Sequence, residues 1–246
     1  MAGMCVALSV VSHGHADMVQ ALLDDLSQRR FLCVVHVVLT LNLPERLPVP
    51  PATGWPFRLT VVHSARPNGF ARNHNVAFTH CQEDFFCVVN PDVRFLAAVD
   101  DPFPALCRAA MQAGVGLAYP MQVDRHGQPM DHERTYPTPL ALLCRYMGRA
   151  PARRVDWVNG AFMLVQHTIY RQLGGFNERF HMYCEDVDWC LRLRAAGYTL
   201  AAVPVPVVHD TQRASRRSPT HMIWHLHSLL KLWCDPLFWR SVRQSR

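Results

Sequence analysis

Short apolar runs alternate with helical patterns along the first half of this chain, and the alternation restricts the folds that it can adopt. Four such runs predict buried strands: Val6 to Val11, Cys33 to Leu41, Arg58 to His63, and Phe85 to Val89. Amphipathic spacing predicts a helix over Asp17 to Arg30 and a shorter one near Arg72 to Thr79. This order of elements predicts an open, mostly parallel α/β sheet with helices on both faces.

The second half of the chain has a less regular pattern. Its predicted elements are helices over Asp101 to Ala113 and Glu185 to Ala196, and strands over Gly116 to Tyr119 and Trp157 to Val165. We expect Pro120 to Arg154, which is rich in Pro, His and Arg, to be irregular. Half of the 246 residues are hydrophobic and 18% are charged, so a single domain over residues 1–246 can bury a full core.

Polar segments follow the predicted strands, at the ends where ligands gather in open α/β sheets. These segments are Ser12 to His15, Asn68 to Asn75, and Asn90 to Asp92. No G-x-G-x-x-G follows the first strand, and the chain contains no G-x-x-x-x-G-K-S. Dinucleotide-binding and P-loop sites therefore lose their main support in the sequence.

Asn90-Pro91-Asp92 closes the fourth apolar run with a carboxylate. A carboxylate at a strand end can bind a divalent cation that neutralises a diphosphate leaving group. The same tripeptide is also ordinary turn chemistry, and on its own it does not decide between the two.

Three carboxylates lie in the first turn of the predicted helix that begins at Glu185. The positive end of the helix favours their ionised form, which suits Asp186 as a general base. Asp188 precedes Arg192 by four residues, a spacing typical of a structural ion pair. Glu185 is interpreted as a cap or a substrate contact, and the alternative for the whole turn is an acidic helix start without function.

Asn159-Gly160-Ala161 opens the apolar run that ends at Val165. Small residues at this place would let a sugar approach the backbone closely, although Gly160 would equally serve a bulge or a turn.

The order of these motifs resembles that of the family 2 glycosyltransferases with the GT-A fold, and within them the rhamnosyltransferase-like branch of bacterial surface-polysaccharide synthesis. The resemblance runs from about Val6 to His209. Its marks, in order, are Ser12-His13-Gly14-His15, Asn68-Gly69-Phe70-Ala71-Arg72-Asn73-His74-Asn75, Asn90-Pro91-Asp92, Val158-Asn159-Gly160-Ala161, Gly174-Gly175-Phe176-Asn177-Glu178, Glu185-Asp186-Val187-Asp188 and Val208-His209. It implies a nucleotide-sugar-binding half over residues 1–119 and an acceptor and catalytic half over residues 120–210.

The resemblance implies roles for individual residues. Asp92 is similar to the last residue of the family's D-x-D metal and diphosphate site, His209 to a further ligand of that site, and Asp186 to the catalytic base. Glu185 is expected to act beside Asp186. The expected donor contacts are Ser12, His13, His15, Asn68, Gly69, Asn73 and Asn90, and the expected acceptor contacts are Asn159, Gly160 and Trp189.

The expected reaction is an inverting single displacement from a nucleoside diphosphate sugar to a saccharide hydroxyl. The best guess for the donor is dTDP-rhamnose, or another dTDP- or UDP-hexose, and the acceptor is expected in lipopolysaccharide or O-antigen synthesis. Asn90 replaces the first carboxylate of D-x-D. Fewer protein charges then hold the cation, which suits Mg²⁺ or Mn²⁺ that keeps several waters.

Residues 211–246 combine a basic loop with an apolar, aromatic-rich helical segment. Arg213 is expected to fold over the donor phosphates, the alternative being a solvated loop. The helical segment suits a membrane surface carrying a lipid-linked acceptor, and the alternative is packing on the core or on a second copy in a homodimer. The formal charge is +6, and the basic residues are spread through the chain but become denser after Arg213, which favours a local anion contact and no nucleic acid.

Two other functions stay open from the residues: a nucleotidyltransferase of related fold, and a non-catalytic protein that binds sugar or nucleic acid. We expect the protein in the cytoplasm, with the inner face of the membrane as a site of contact, because no apolar run reaches a spanning length and the odd number of cysteines, nine, fits a reducing compartment.

Overall fold

The structure is a computed structural model that describes residues 4–96, 101–148, 154–209 and 219–244. Its strands are β1 Val6–Ser12, β2 Val34–Leu41, β3 Arg58–His63, β4 Phe85–Val89, β5 Val93–Phe95, β6 Val115–Val123, β7 Glu133–Arg134, β8 Trp157–Val158, β9 Phe162–Gln166 and β10 Thr199–His209. Its helices are α1 Ala16–Arg29, α2 Phe70–Phe78, α3 Pro102–Ala110, α4 Pro139–Tyr146, α5 His167–Gln172, α6 Glu185–Ala195, α7 Pro219–Trp233 and α8 Pro236–Gln244.

One eight-stranded sheet runs in the order β3-β2-β1-β4-β9-β6-β10-β5. The pairings among β3, β2, β1 and β4 are parallel, and so is that of β6 with β10. β9 is antiparallel to both β4 and β6, and β5 is antiparallel to β10. The predicted open α/β sheet is confirmed, and the antiparallel strands make it mixed in its second half.

Each face of the sheet is covered by helices. On one face α1 packs against β1, and α3 packs against β6, β9 and β10; Val6 and Leu8 point to this side. On the other face α2 packs against β1 and α6 against β10, with α8 on α6; Ala7 points to this side. Strands covered on both faces are apolar at nearly every position, which explains the continuous apolar runs of β1, β2 and β4.

The segment Pro120 to Arg154 is more regular than predicted. β6 continues through Pro120 to Val123, because the register of β10 shifts opposite that proline, between Val203 and Pro206, where a missing N–H is tolerated. α4 begins with Pro139 at its first position, and the Thr138 hydroxyl accepts a hydrogen bond from the N–H of Ala141 at 3.1 Å. The prediction of an irregular segment is therefore wrong for the end of β6, for β7 and for α4.

The predicted C-terminal helix is two helices, α7 and α8. They pack on the core through buried side chains that include Leu229, Leu232 and Phe238. α7 leaves an apolar stripe exposed on its other side, formed by Met222, Ile223, Leu226 and Leu230. Among the described residues, the helices lack the length and hydropathy that crossing a bilayer requires.

Candidate active site at the carboxyl ends of the strands

Asn42, the residue after β2, joins the ends of β1 and β2 to the loop before α2. Its Nδ2 donates to Nδ1 of His13 and to the carbonyl oxygen of Asn68, each at 2.9 Å. Its Oδ1 accepts from the N–H of Asn68 at 2.8 Å. His13 and His15 stay exposed beside this junction, where a ligand can reach their rings.

Ser12 is fully buried at the end of β1. Its hydroxyl donates to Oε2 of Glu45 at 2.9 Å and accepts from the N–H of His15 at 3.1 Å. Ser12 therefore shapes the turn that carries His13 and His15, and its hydroxyl is already paired within the protein.

Gly69 and Asn73 are turned toward the protein and away from open space. A Cβ on Gly69 would lie 2.1 Å from the carbonyl oxygen of His181, so a glycine is needed here to leave room for the backbone of His181. Asn73 is 1% exposed, and its amide pairs with Ser64 and with the Asn68 carbonyl, each at 3.3 Å. Asn73 is too buried to line the nucleotide pocket as predicted, whereas the predicted nucleotide contact of Gly69 stays a prediction.

Asp92 and His209 meet where β5 pairs with β10. Nε2 of His209 lies 3.4 Å from Oδ1 of Asp92, and the two side chains are 5% and 22% exposed, respectively. Oδ1 of Asp92 is buried and makes no hydrogen bond with any of the residues that the structure describes. A buried carboxylate oxygen without a donor, beside an imidazole nitrogen, fits a divalent cation. Asn90, at the end of β4, holds this turn through its backbone, since its N–H donates to Ala161 and its carbonyl accepts from Val93.

Gln122, near the end of β6, connects His209 with Asn159. It is 1% exposed, and its Oε1 lies 2.9 Å from Nδ1 of His209. The amides of Gln122 and Asn159 form two hydrogen bonds with each other, of 2.6 and 2.9 Å. Asn159 is half-buried, and its predicted contact with the acceptor stays a prediction. Gln122 itself was missed, since the predicted strand ended at Tyr119.

Asp186 lies in the first turn of α6, opposite the turn that precedes β9. Its Oδ2 accepts from the N–H of Gly160 at 3.2 Å, and its Oδ1 accepts from the N–H of Val187 at 2.8 Å. A Cβ on Gly160 would lie 3.0 Å from the ring of Phe70, so a small residue is needed for this approach. Burial raises the pKa of Asp186, while the Val187 N–H and the positive charge of Arg134 oppose that rise.

The residues around Asp186 have different environments. Oε2 of Glu185 is buried without a partner, and burial together with the charge of Asp186 raises the pKa of Glu185 well above its usual range. Asp188 pairs with Nε of Arg192 at 2.7 Å, which confirms the predicted ion pair. Trp189 is 1% exposed and packs on Tyr170 and other core rings. The prediction that Trp189 contacts the acceptor is therefore wrong.

A cavity of about 880 Å³ opens beside Glu185 and Asp186. Its polar wall includes Arg134, whose guanidinium lies 5.2 Å from the ring centre of Trp157. Its opposite wall includes Leu229 of α7. The carboxylates thus face a space large enough for a saccharide, with cationic and apolar walls. Arg213, the expected donor contact in the basic loop, lies outside the described residues.

Glu185→Gln is expected to stabilise the ligand-free protein at pH 8 but not near pH 4. An unfolded glutamate has a pKa of about 4.3, and burial raises the pKa of Glu185 in the folded state. Above pH 4 the folded state therefore binds more protons than the unfolded state, and the free energy of unfolding falls as the pH rises. Gln avoids this loss, so the Tm at pH 8 should rise by at least about 2–4 °C, the shift that 1 kcal/mol gives in a domain of this size.

Thermal unfolding from pH 4 to pH 8 measures this effect. Glu178→Gln, at an exposed carboxylate, is the control for the loss of one negative charge. A Glu185→Gln difference that does not grow with pH would show that Glu185 is ionised in the folded protein.

The sequence resembles known glycosyltransferases. Residues 51–226 match the family described as glycosyltransferase like family 2. Rhamnosyltransferase WbbL of Escherichia coli K12 is 25% identical over 259 residues, covering 92% of this chain and 91% of WbbL. N-acetylglucosaminyl-diphospho-decaprenol L-rhamnosyltransferase of Mycobacterium tuberculosis is 30% identical over 164 residues, covering 58% of this chain and 52% of that protein. The chain thus spans about half the length of the mycobacterial relative.

Solved structures share the fold. Mannosyltransferase PcManGT from Pyrobaculum calidifontis, in complex with GDP-Man and Mn²⁺, matches with a TM-score of 0.63 and 17% identity, over 94% of this chain and 64% of that one. GalNAc-T7 with UDP, GalNAc and Mn²⁺ matches with a TM-score of 0.62 and 11% identity, over 84% of this chain and 43% of that one. Both are GT-A proteins, and the predicted GT-A fold is confirmed.

Proposed function

We propose, because this chain belongs to the glycosyltransferase-like family 2, that it transfers a sugar from a nucleoside diphosphate donor to a saccharide hydroxyl with inversion at the anomeric carbon. The observation that carries this proposal is the placement of Asp186. Its carboxylate faces the cavity and is held by the N–H groups of Gly160 and Val187. A carboxylate fixed in this way at the wall of a large cavity suits a general base.

In the proposed reaction Asp186 takes the proton of the acceptor hydroxyl. The oxygen attacks the anomeric carbon from the face opposite the diphosphate, a new C–O bond forms, and the bond to the diphosphate oxygen breaks. Each carboxylate oxygen of Asp186 accepts one hydrogen bond from the backbone. Each therefore keeps acceptor capacity for the hydroxyl proton. A single displacement of this kind inverts the anomeric configuration.

Asp92 and His209 are the residues that would hold Mg²⁺ or Mn²⁺. Oδ1 of Asp92 and Nε2 of His209 are two ligand atoms that the described residues place there. When bound, the cation would supply positive charge to the departing diphosphate. The presence of Mn²⁺ beside a nucleotide or nucleotide sugar in the GalNAc-T7 and PcManGT structures supports this assignment.

The proposed donor is dTDP-rhamnose, with another dTDP- or UDP-hexose as the alternative. Both named relatives are rhamnosyltransferases, and the mycobacterial one acts on a diphospho-decaprenol saccharide. A lipid-linked acceptor in surface-polysaccharide synthesis would bring this protein to the inner face of the membrane. The exposed stripe of Met222, Ile223, Leu226 and Leu230 on α7 is the proposed contact, and the alternative is a second copy of the chain.

The test begins with thermal unfolding against dTDP, UDP, GDP and CMP, each with Mg²⁺, Mn²⁺ or EDTA. A ligand at about 100 times its Kd adds roughly 2.7 kcal/mol, which corresponds to about 5–10 °C here. We expect the largest shift for dTDP with a divalent cation. Transfer from dTDP-β-L-rhamnose should then give an α-linked product by NMR. A β-linked product would refute inversion, and the absence of any nucleotide shift would remove the proposed function.

A further inference from the structure

We propose that Gln122 is a positioning residue, whose side-chain amide fixes His209 in the tautomer that directs the lone pair of Nε2 toward Asp92. Gln122 lies near the end of β6 and His209 at the end of β10, and both are almost completely buried. The inference rests on the proposed function in one respect, since the ligand set that it prepares is the one assigned to the divalent cation.

The orientation of the amides follows from a backbone group. The N–H of Ala161 can only donate, and it lies 3.3 Å from Oδ1 of Asn159. That contact identifies the oxygen of Asn159. The nitrogen of Gln122 must then face this oxygen, at 2.6 Å, and the oxygen of Gln122 faces Nδ2 of Asn159, at 2.9 Å. A flipped amide at either residue would place two donors or two acceptors against each other.

The orientation of Gln122 decides where His209 carries its hydrogen. Oε1 of Gln122 lies 2.9 Å from Nδ1 of His209, and an amide oxygen can only accept. Nδ1 of a neutral imidazole must therefore carry the hydrogen, which leaves Nε2 with a free lone pair. Nε2 is the atom that faces Oδ1 of Asp92, at 3.4 Å.

Asp92 on its own would favour the opposite tautomer. A neutral imidazole beside a carboxylate gains a hydrogen bond by placing its hydrogen on the nearer nitrogen, here Nε2. That hydrogen would occupy the lone pairs of both ligand atoms and block the cation. Oδ1 of Asp92 makes no hydrogen bond, as the tautomer set by Gln122 requires.

The same network extends to the proposed base. Asn159, the partner of Gln122, is followed by Gly160, whose N–H donates to Asp186 at 3.2 Å. One pair of amides thus holds the turn that contacts Asp186 and the ring that contacts Asp92. Gln122 is 1% exposed and contacts Asn159 and His209, so its effect is exerted through these neighbours.

Two measurements on the full chain test this inference. Long-range ¹H–¹⁵N NMR of cation-free, ¹⁵N-histidine protein reports the tautomer of His209, which is assigned by comparison with His209→Ala. We expect Nδ1–H in the parent protein and Nε2–H in Gln122→Leu. Free-Mn²⁺ EPR in the presence of dTDP should show Mn²⁺ binding weakened by about 10–100-fold in Gln122→Leu.

Two further variants make the result specific. Gln122→Glu keeps an acceptor for the Nδ1 hydrogen and should retain the parent tautomer, with most of the Mn²⁺ affinity. Gln166→Leu removes another glutamine amide of the sheet, which donates to the Ala110 carbonyl at 2.6 Å. This variant should change neither the tautomer of His209 nor the affinity for Mn²⁺.

The NMR measurement on the parent protein does not depend on whether any variant folds. If His209 carries its hydrogen on Nε2 in the parent protein, the inference is overturned. An unchanged tautomer and Mn²⁺ affinity in Gln122→Leu would overturn it as well. If the parent protein has Nδ1–H, loses it in Gln122→Leu and yet binds no Mn²⁺, the fixing of the ring by Gln122 is supported and the proposed cation dependence is refuted.

Discussion

Asp186→Asn is expected to lower kcat for sugar transfer by roughly 10²–10⁴-fold, the usual contribution of a general base, while the affinity for the donor nucleotide stays near that of the parent protein. The reason is that an amide cannot take the proton of the acceptor hydroxyl, although it fills nearly the same space. Asp186 contacts the backbone of Gly160 and Val187, on the side of the cavity. Single-turnover transfer and nucleotide titration by calorimetry separate the two effects.

Asp188→Asn is the matched control, two residues further along the same helix. Asp188 is 2% exposed and pairs with Arg192 at 2.7 Å and Arg179 at 3.3 Å. Removing one partner of a buried ion pair costs about 3–5 kcal/mol, so this variant should lose thermal stability and keep the kcat of its folded fraction. Equal losses of kcat in Asp186→Asn and Asp188→Asn would mean that the negative charge at the start of α6 supports transfer, and that Asp186 is not the general base.

Asp92→Asn is expected to remove the cation dependence of donor binding. The variant replaces a carboxylate, one oxygen of which has no hydrogen-bond partner among the described residues, with an amide, a much weaker ligand. Stabilisation of a leaving group by a metal amounts to several kcal/mol, so kcat/KM should fall by at least about 10²-fold. Calorimetric titration with dTDP, in Mn²⁺ and in EDTA, should give nearly the same weak affinity in both conditions.

His209→Ala should give a loss of the same kind, because it removes the second ligand atom. Asp24→Asn, at a carboxylate of α1 that accepts from Gln20 at 2.9 Å, controls for the loss of one negative charge and should behave like the parent protein. If Asp92→Asn keeps a donor affinity that EDTA abolishes, the cation is bound by other residues.

The sequence predicted the elements that bury apolar side chains on a regular spacing. β3 and β4 have the predicted bounds, and β1 and α6 end within one residue of them. β5 was missed, because three residues are too few to show a period. The extension of β6 was missed because Pro120 argues against a strand interior, and only the register shift of β10 makes it acceptable.

The polar residues were predictable as a group and not one by one. The order of the motifs predicted that Asp92, Asp186 and His209 belong to one site. It could not show which way an amide faces, so Asn73 was taken for a ligand contact although it is 1% exposed. Gln122 was missed, since a glutamine shows its role only through the partner that the fold brings to it.

The order of the strands in the chain also determines when Asp92 and His209 can come together during protein synthesis. β5 follows β4 directly in the chain, yet among the described strands it pairs with β10, the last of them to be synthesised. Asp92 therefore leaves the ribosome long before His209 can join it. A nascent chain without β10 has one of the two ligand atoms proposed for the cation, so we expect the proposed cation site to form only after β10 has been synthesised.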